Sequence, residues 1–174
     1  LGASPIASLG AGFARVAEGE PVLVDIVHVH RGYVSDCTRM FSAGRLSDEW
    51  MQKLNDMEEV AGFVIDSLGK GVDCSAVWDA GSAMVTEMGH AGHLMGMPPD
   101  QARFLGHSVG LELDETPVVA RGFDRPLQKG GTMAIEPKVI YSEGAMGVED
   151  TWVRGADGME CLTMGESFPL LTEW

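Results

Sequence analysis

Two aspartates near the start of the chain are spaced so that a β-hairpin would bring their side chains together. Asp25 and Asp36 flank His30-Arg31-Gly32, a segment typical of a hairpin turn. A hairpin centred on His30 and Arg31 places Asp25 directly opposite Asp36, at a Cβ separation of about 4.5–5.5 Å. Two carboxylates at that distance repel each other unless a cation lies between them.

A second pair of acidic residues, in the other half of the chain, has the same relationship. Glu136 and Glu149 lie directly opposite each other if their hairpin is centred on Ser142 and Glu143. Pro137 disfavours a helix at Glu136 and so keeps that residue extended. The chain therefore carries two candidate pairs of facing carboxylates.

One histidine supplies a nitrogen donor between these hairpins. His107 lies in the sequence GHSVG, where flanking glycines let the backbone approach a ligand closely. Four carboxylates and one imidazole form a mixed oxygen and nitrogen set, which suits divalent Mn, Co, Fe or Zn ions. Two such ions about 3.5–4 Å apart would turn a shared water into a nucleophile near neutral pH. The remaining histidines are expected to be solvated side chains rather than ligands: His28, His30, His90 and His93.

The spacing by itself leaves a simpler interpretation open. A lone aspartate in a strand usually marks an edge or a turn, and both facing pairs require hairpins without bulges. The metal site is therefore a hypothesis at this point.

The composition excludes several classes of protein. The formal charge of −14 disfavours binding to nucleic acid and to anionic membranes. No apolar run approaches the roughly 18–20 residues that a bilayer requires, and the opening segment lacks the basic start of a signal peptide. The absence of an initiator Met indicates a chain cut from a longer polypeptide. Three widely spaced cysteines (Cys37, Cys74 and Cys161) predict reduced thiols and a cytoplasmic protein.

The segments that must position the five residues alternate between strands and helices. An extended pair at 22–29 and 33–41 is followed by a helix that Ser47 should cap and Gly69 should end. A second helix is predicted from about Asp73 to Met88. Short strands should follow at 103–108, 110–115, 131–141, 146–154 and 159–163. This order predicts one α+β domain.

Several segments that contain these residues resemble, in order, the pita-bread metallopeptidases, which include prolidase, aminopeptidase P and methionine aminopeptidase. The segments are VDIVHVHRGYVSDCTRMFSAG, FLGHSVGLELDETP, LQKGGTMAIEPKVI, and GVEDTWV with GMECLT. The likeness is strongest to the Xaa-Pro peptidase branch. It implies the pita-bread (creatinase/aminopeptidase) fold, in which a curved antiparallel sheet cradles the metal ions and helices cover its outer face.

The resemblance also assigns roles to the five residues. It implies two divalent ions, because the family's ligands fall on Asp25, Asp36, His107, Glu136 and Glu149. Asp36 and Glu149 would bridge both ions. Asp25 would complete one site, whereas His107 and Glu136 would complete the other. Glu136 would also be catalytic, since it would help to move the proton of the bridging water, and the implied activity is that of a metal-dependent peptidase.

Four positions depart from the Xaa-Pro branch, whose outer groups hold the substrate and stabilise its transition state. Three histidines of that branch are replaced by Ser8, Arg103 and Asp114, and a common arginine is replaced by Gly147. Each missing donor would cost about 2–4 kcal/mol of transition-state stabilisation, and Asp114 would repel a substrate carboxylate. We therefore expect a substrate other than a simple Xaa-Pro dipeptide.

The resemblance leaves an alternative function open. Residues 1–174 should form a catalytic domain without the family's N-terminal domain and first helices. The alternative is a catalytically weak or inactive module that binds metal and a peptide or protein partner, although such relatives tend to lose the ligands that this chain keeps. The identity of the ions, the substrate and the formation of a homodimer are not determined by the sequence.

Overall fold

The computed structural model describes residues 15–163 and 169–174, so Ser8 and the apolar opening segment lie outside the described residues. The described elements are, in chain order, β1 (Pro21–His30), β2 (Tyr33–Ser42), α1 (Asp48–Lys70), α2 (Cys74–Glu87), β3 (Gly106–Ser108), β4 (Glu115–Val118), β5 (Thr132–Ile135), β6 (Lys138–Tyr141), β7 (Gly144–Gly147), β8 (Asp150–Arg154), β9 (Met159–Cys161) and β10 (Leu171–Glu173). This order confirms the predicted α+β pattern. Within these described ranges, no helix is both long enough and apolar enough to cross a membrane.

The first hairpin forms where predicted, but its turn lies one residue further along the chain. Arg31 and Gly32 occupy the central turn positions with φ values of 52° and 88°, the left-handed conformations that a two-residue hairpin turn favours. Asp25 consequently pairs with Thr38, so the predicted direct pairing of Asp25 with Asp36 is wrong. Because the partner shifts by two positions, both aspartates remain on one face of the sheet as diagonal neighbours.

The second hairpin has the predicted register. Lys138 pairs with Gly147, and the same register extended by two residues places Glu136 opposite Glu149. The long strands predicted here are each broken at a glutamate, since β5 ends just before Glu136 and β8 begins just after Glu149. β5 pairs with β8 whereas β6 pairs with β7. The two glutamates therefore lie where the chain passes from one sheet to another.

The two helices follow the predicted caps closely. Ser47 is the N-cap of α1, and the helix continues past the predicted stop at Gly69 to Gly71. Gly71 ends it because its φ of 83° is left-handed, a conformation that glycine adopts without steric cost. Asp73 and Met88 cap the two ends of α2, as predicted.

A buried histidine cluster ties α1 to β6. Nε2 of His90 lies 2.8 Å from Oδ2 of Asp56, and its Nδ1 lies 2.7 Å from the hydroxyl oxygen of Tyr141. The ring of His93 stacks on Tyr141 with centroids 3.8 Å apart. The prediction that His90 is solvated is therefore wrong, because Asp56 and Tyr141 satisfy both of its ring nitrogens inside the fold.

Three hydrogen-bonded sheets surround the site: β1-β2-β10, β4-β3-β5-β8-β9 and β6-β7. An isolated bridge between Thr38 and Glu149 links β2 to the start of β8. The hydrophobic core lies between these sheets and the two helices, with α1 packed against α2 and β7. The strand predicted at 110–115 is wrong, since β4 begins only at Glu115. The carboxylate of Glu115 instead accepts backbone hydrogen bonds from the preceding bend.

Candidate metal centre

Three buried side chains converge where the sheets meet. Asp36 lies on β2, His107 lies on β3, and Glu149 lies between β7 and β8; all three are at most 5% exposed. One ligand atom of each residue lies within 4.8 Å of the other two ligand atoms. Three donor atoms at this spacing could surround a single cation.

Glu136 and Asp114 contact opposite sides of the His107 ring. Oε1 of Glu136 lies 3.1 Å from Nε2, the nitrogen that also faces Oδ2 of Asp36 at 3.9 Å. Nδ1 lies 3.1 Å from the backbone oxygen of Ser108 and 3.6 Å from Oδ1 of Asp114. Acceptors beside Nδ1 hold a proton on that nitrogen, which leaves Nε2 of the neutral ring available to a cation.

Asp25 lies at the solvent edge of the centre. Its side chain is 51% exposed, and its Oδ2 is 3.5 Å from Nζ of Lys138. Its carboxylate raises the pKa of Asp36 through its charge and a hydrogen bond, but Asp25 does not belong to the three-residue group. The structure thus brings Asp36, His107, Glu136 and Glu149 together in the interior and leaves Asp25 partly in water.

Lys138 is the residue of this centre that the sequence analysis did not single out. Its ammonium group donates hydrogen bonds of 2.7 Å to Oε2 of Glu136 and to Oε2 of Glu149, and the residue is only 7% exposed. A protonated lysine has no lone pair to offer a metal, so a search for ligand types passes over it. The sequence could have indicated Lys138 by its position two residues after Glu136, because that spacing puts both side chains on one face of an extended segment.

The buried carboxylates titrate far from their usual range in the metal-free protein. Burial raises the pKa of Asp36 to about 7, and neighbouring carboxylates act in the same direction. Burial also raises the pKa of Glu149 to about 8, against the opposing charge of Lys138. Burial would raise the pKa of Glu136 too, but hydrogen bonds from His107 and Lys138 outweigh it and lower that pKa. Glu136 is therefore the carboxylate that is held in its charged form.

Two cationic groups balance these carboxylates. Burial alone would lower the pKa of His107, but the hydrogen bond and charge of Glu136 raise it to about 9. Burial would likewise lower the pKa of Lys138, but Glu136, Glu149 and Asp25 raise it above its ordinary value. His107 must therefore release a proton before its Nε2 can bind a metal ion.

Hydroxyl and guanidinium groups fix the backbone around the candidate ligands. Oγ1 of Thr38 donates a 2.7 Å hydrogen bond to Oε2 of Glu149. Oγ1 of Thr151 accepts a hydrogen bond from the backbone N–H of Asp36 and donates one to its carbonyl, both at 2.9 Å. Nη1 of the buried Arg39 donates to the carbonyl of Glu149 at 3.1 Å. These contacts hold β2 and the start of β8 in a fixed relative position.

The donor set fits a divalent cation. Oδ1 of Asp36 is buried and has no hydrogen-bond partner among the described residues. A buried carboxylate oxygen in that state costs free energy unless a cation or a proton meets it. Carboxylate oxygens with one imidazole nitrogen are the donors that suit Mn, Co, Fe and Zn ions.

The predicted substrate-side residues lie in different places. Asp114 is 75% exposed and lies beside His107 at the entrance to the centre. Arg103 is exposed and lines a separate cavity of about 480 Å³, together with Trp78 and Arg121. Ser8 lies outside the described residues. Of these positions, Asp114 is the one that the structure brings next to a candidate ligand.

Comparisons of the sequence with known proteins find a family and curated relatives. Residues 5–154 match the model of metallopeptidase family M24. The Xaa-Pro dipeptidase of Lactobacillus delbrueckii subsp. lactis is 31% identical over 157 residues, which cover 88% of this chain and 40% of that relative. The chain thus spans about 40% of the length of this curated relative.

Solved structures share the fold. The prolidase from Pyrococcus furiosus superposes with a TM-score of 0.80 at 23% identity, over 92% of this chain and 46% of that one. The N-terminal domain of the FACT complex subunit SPT16 from Cicer arietinum superposes with a TM-score of 0.73 at 15% identity, over 90% of this chain and 39% of that one. These likenesses confirm the expected pita-bread fold. Because the family model covers most of its length, the chain belongs to metallopeptidase family M24.

Proposed function

We propose that this chain is the catalytic part of a divalent-metal-dependent hydrolase that cleaves a peptide or amide bond, similar in type to Xaa-Pro dipeptidases and aminopeptidase P. The observation that carries the proposal is the buried convergence of Asp36, His107 and Glu149, with ligand atoms within 4.8 Å of one another. Membership of a metallopeptidase family and the likeness to an Xaa-Pro dipeptidase support it.

Five residues would hold two ions, with manganese as the first choice to test. Asp36 and Glu149 would serve both ion positions, Asp25 would complete one, and His107 with Glu136 the other. When bound, the ions would lower the pKa of a shared water and so supply the nucleophile for amide hydrolysis. Glu136 would accept the proton of that water, because its contacts with His107 and Lys138 keep it ionised.

The substrate would differ from a simple Xaa-Pro dipeptide. The carboxylate of Asp114 lies 3.6 Å from Nδ1 of His107 and is 75% exposed, so it would meet a substrate that approaches the centre. A free carboxylate at this point would be repelled, whereas an amide or a longer peptide would not. Arg103, which lines a separate cavity, does not offset this charge at the centre.

A binding module is the second candidate. The same fold occurs in a domain of the FACT complex subunit SPT16, so the fold alone does not imply hydrolysis. The replacement of the three histidines and the arginine of the Xaa-Pro branch also favours this candidate, because it predicts weak catalysis. Retention of all five candidate ligand positions favours the enzyme, because binding of a peptide or protein partner alone does not require them.

Hydrolysis by the metal-loaded protein tests the proposal. The product of the complete gene would be stripped with EDTA, reloaded with Mn²⁺ or Co²⁺, and assayed on Xaa-Pro dipeptides, dipeptide amides and longer peptides. We expect metal-dependent cleavage that Asp36→Asn abolishes and that Asp66→Asn, a surface change on α1, leaves intact. Tight metal binding without cleavage of any of these substrates would instead favour the binding module.

A further inference from the structure

Lys138 holds a position inside the ligand cluster that a cation would otherwise take. Its Nζ lies 2.7 Å from Oε2 of Glu136, 2.7 Å from Oε2 of Glu149 and 3.5 Å from Oδ2 of Asp25. Two of these partners, Asp25 and Glu149, are assigned above to the same ion position, called here the Asp25-side position, whereas Glu136 is assigned to the other, the His107-side position. The ammonium group therefore makes contacts with oxygen that an ion in the Asp25-side position would make.

The His107 side of the cluster is not covered in this way. Oε1 of Glu136 faces Nε2 of His107 at 3.1 Å, while its other oxygen accepts the hydrogen bond from Lys138. Asp36, His107 and Glu149 offer ligand atoms within 4.8 Å of one another, and Oδ1 of Asp36 has no hydrogen-bond partner among the residues described. An ion could bind here while Lys138 keeps its contacts.

We propose that Lys138 is an internal cation that competes with the Asp25-side metal ion, so that the two positions load unequally. The His107-side position binds its ion tightly. The Asp25-side position binds its ion weakly, because that ion has to displace the ammonium group of Lys138. This inference rests on the proposed metal-dependent function and specifies how its two positions differ.

Coulomb repulsion is the physical reason for the competition. An ion bound to Asp25 and Glu149 would share their oxygens with Nζ, which places two positive charges within a few ångströms of each other. Because the ion is divalent, this repulsion is twice that between two unit charges at the same separation. Lys138 is 7% exposed, so water screens the repulsion little unless the side chain leaves the cluster.

Isothermal titration with Mn²⁺ alone tests the competition. The metal-stripped product of the complete gene would be compared with Lys138→Met, which keeps the apolar stem and removes the charge. Lys70→Met is the matched control, since Lys70 is an exposed lysine paired with Asp66 on α1. We expect the wild type to bind a second equivalent at least about tenfold more weakly than the first. Lys138→Met should tighten that second equivalent about tenfold or more, and Lys70→Met should leave both unchanged.

The outcomes separate this inference from the proposed function. If the wild type binds two equivalents with similar affinity, or if Lys138→Met keeps the wild-type difference, Lys138 does not compete and the inference is wrong, although the metal-dependent function stands. If neither protein binds Mn²⁺, both the inference and the proposed function fail.

A measurement on the wild type decides the matter if Lys138→Met does not fold. Anomalous diffraction from crystals grown with a small molar excess of Mn²⁺ should show one strong peak beside Asp36, His107 and Glu149, with Nζ of Lys138 still against Glu136. Two peaks of equal height would overturn the inference.

Discussion

Lys138 and Gly147 face each other across the β6–β7 hairpin, and a Cβ atom added to Gly147 would lie 2.5 Å from Cγ of Lys138. No side chain at position 147 is therefore compatible with the present path of the lysine stem. The Xaa-Pro branch that this chain resembles commonly has an arginine at this position. In this chain a buried positive charge comes instead from Lys138 on the opposite strand.

Substitution of Gly147 should disturb this hairpin. The Cβ of Gly147→Ala would also lie 2.7 Å from the carbonyl oxygen of Pro137, so backbone as well as side chain must shift. We expect a loss of about 1–3 kcal/mol in the free energy of unfolding, the usual cost of overpacking. Gly62→Ala is the control, because Gly62 lies within α1 and has open space around its Cβ position.

Urea unfolding of both variants measures the difference. The control should be neutral or slightly more stable, since alanine favours a helix by about 1 kcal/mol over glycine. Equal stability of Gly147→Ala and the wild type would contradict the close packing of Gly147 against Lys138.

The two aspartates of the first hairpin should contribute unequally to metal binding. Asp36 is 5% exposed and belongs to the three-residue cluster, whereas the side chain of Asp25 is 51% exposed and lies outside it. Asp36→Asn should therefore weaken the first Mn²⁺ equivalent about 100-fold or more, and Asp25→Asn about tenfold or less. Calorimetric titration of both variants checks the order. A larger effect of Asp25→Asn on the first equivalent would argue against the His107-side position.

The sequence predicted which face of the first hairpin carries the aspartates, but not how they pair. The turn at Arg31 and Gly32 moved the register by two positions, which preserves the face and changes direct opposition into a diagonal. The register around Glu136 and Glu149 was predicted correctly, since β6 and β7 pair without a bulge about a turn at Ser142 and Glu143.

The spacing of residues in the sequence did not predict the buried polar groups that are not candidate ligands. Lys138 enters the centre only because three elements bring Asp25, Glu136 and Glu149 around it. His90 is buried for a similar reason, since its partners Asp56 and Tyr141 come from distant parts of the chain. A local pattern identifies ligand types, whereas long-range hydrogen bonds depend on the tertiary fold.

Three buried groups of the metal-free centre, Asp36, Glu149 and His107, should lose their contributions to stability as pH rises from about 4 to 9. Asp36 and Glu149, whose pKa values burial raises to about 7 and 8, keep protons in the folded state that they lose on unfolding. Despite burial, Glu136 raises the pKa of His107 to about 9. His107 therefore also holds a proton in the folded state that it loses on unfolding. Each contribution is complete below the unfolded pKa, about 4 for the acids and about 6.5 for His107. Each contribution is lost as pH rises through the pKa of that group in the folded protein.

The free energy of unfolding in urea should be measured at several pH values, once with EDTA and once with saturating Mn²⁺. The difference between the two series separates the contribution of the metal centre from that of the rest of the protein. Bound metal requires the same groups to be deprotonated, so the stabilisation by Mn²⁺ should grow as pH rises. At a free concentration of 100 times Kd the ion would contribute about 2.7 kcal/mol. A gain from Mn²⁺ that shrinks with rising pH would contradict these protonation states.

If the proposed hydrolase activity holds, Asp114 should determine how the protein treats a free substrate carboxylate. We expect the wild type to cleave an Xaa-Pro amide more efficiently than the matching dipeptide, because the exposed carboxylate of Asp114 lies beside His107 and repels a second carboxylate. Asp114→Asn should raise kcat/KM for the dipeptide relative to the amide about three- to tenfold, the effect expected for one solvated charge. Asp114→His should raise it further, since an imidazolium would attract the carboxylate.

The ratio between the two substrates is the informative quantity, because Asp114 also contacts Nδ1 of His107 at 3.6 Å. If its only role were to orient that ring, both substrates would lose activity equally in Asp114→Asn and their ratio would stay constant. Asp157→Asn, far along the chain on an exposed bend, controls for the change in net charge. A wild type that cleaves dipeptides as well as amides would show that Asp114 does not select against a carboxylate.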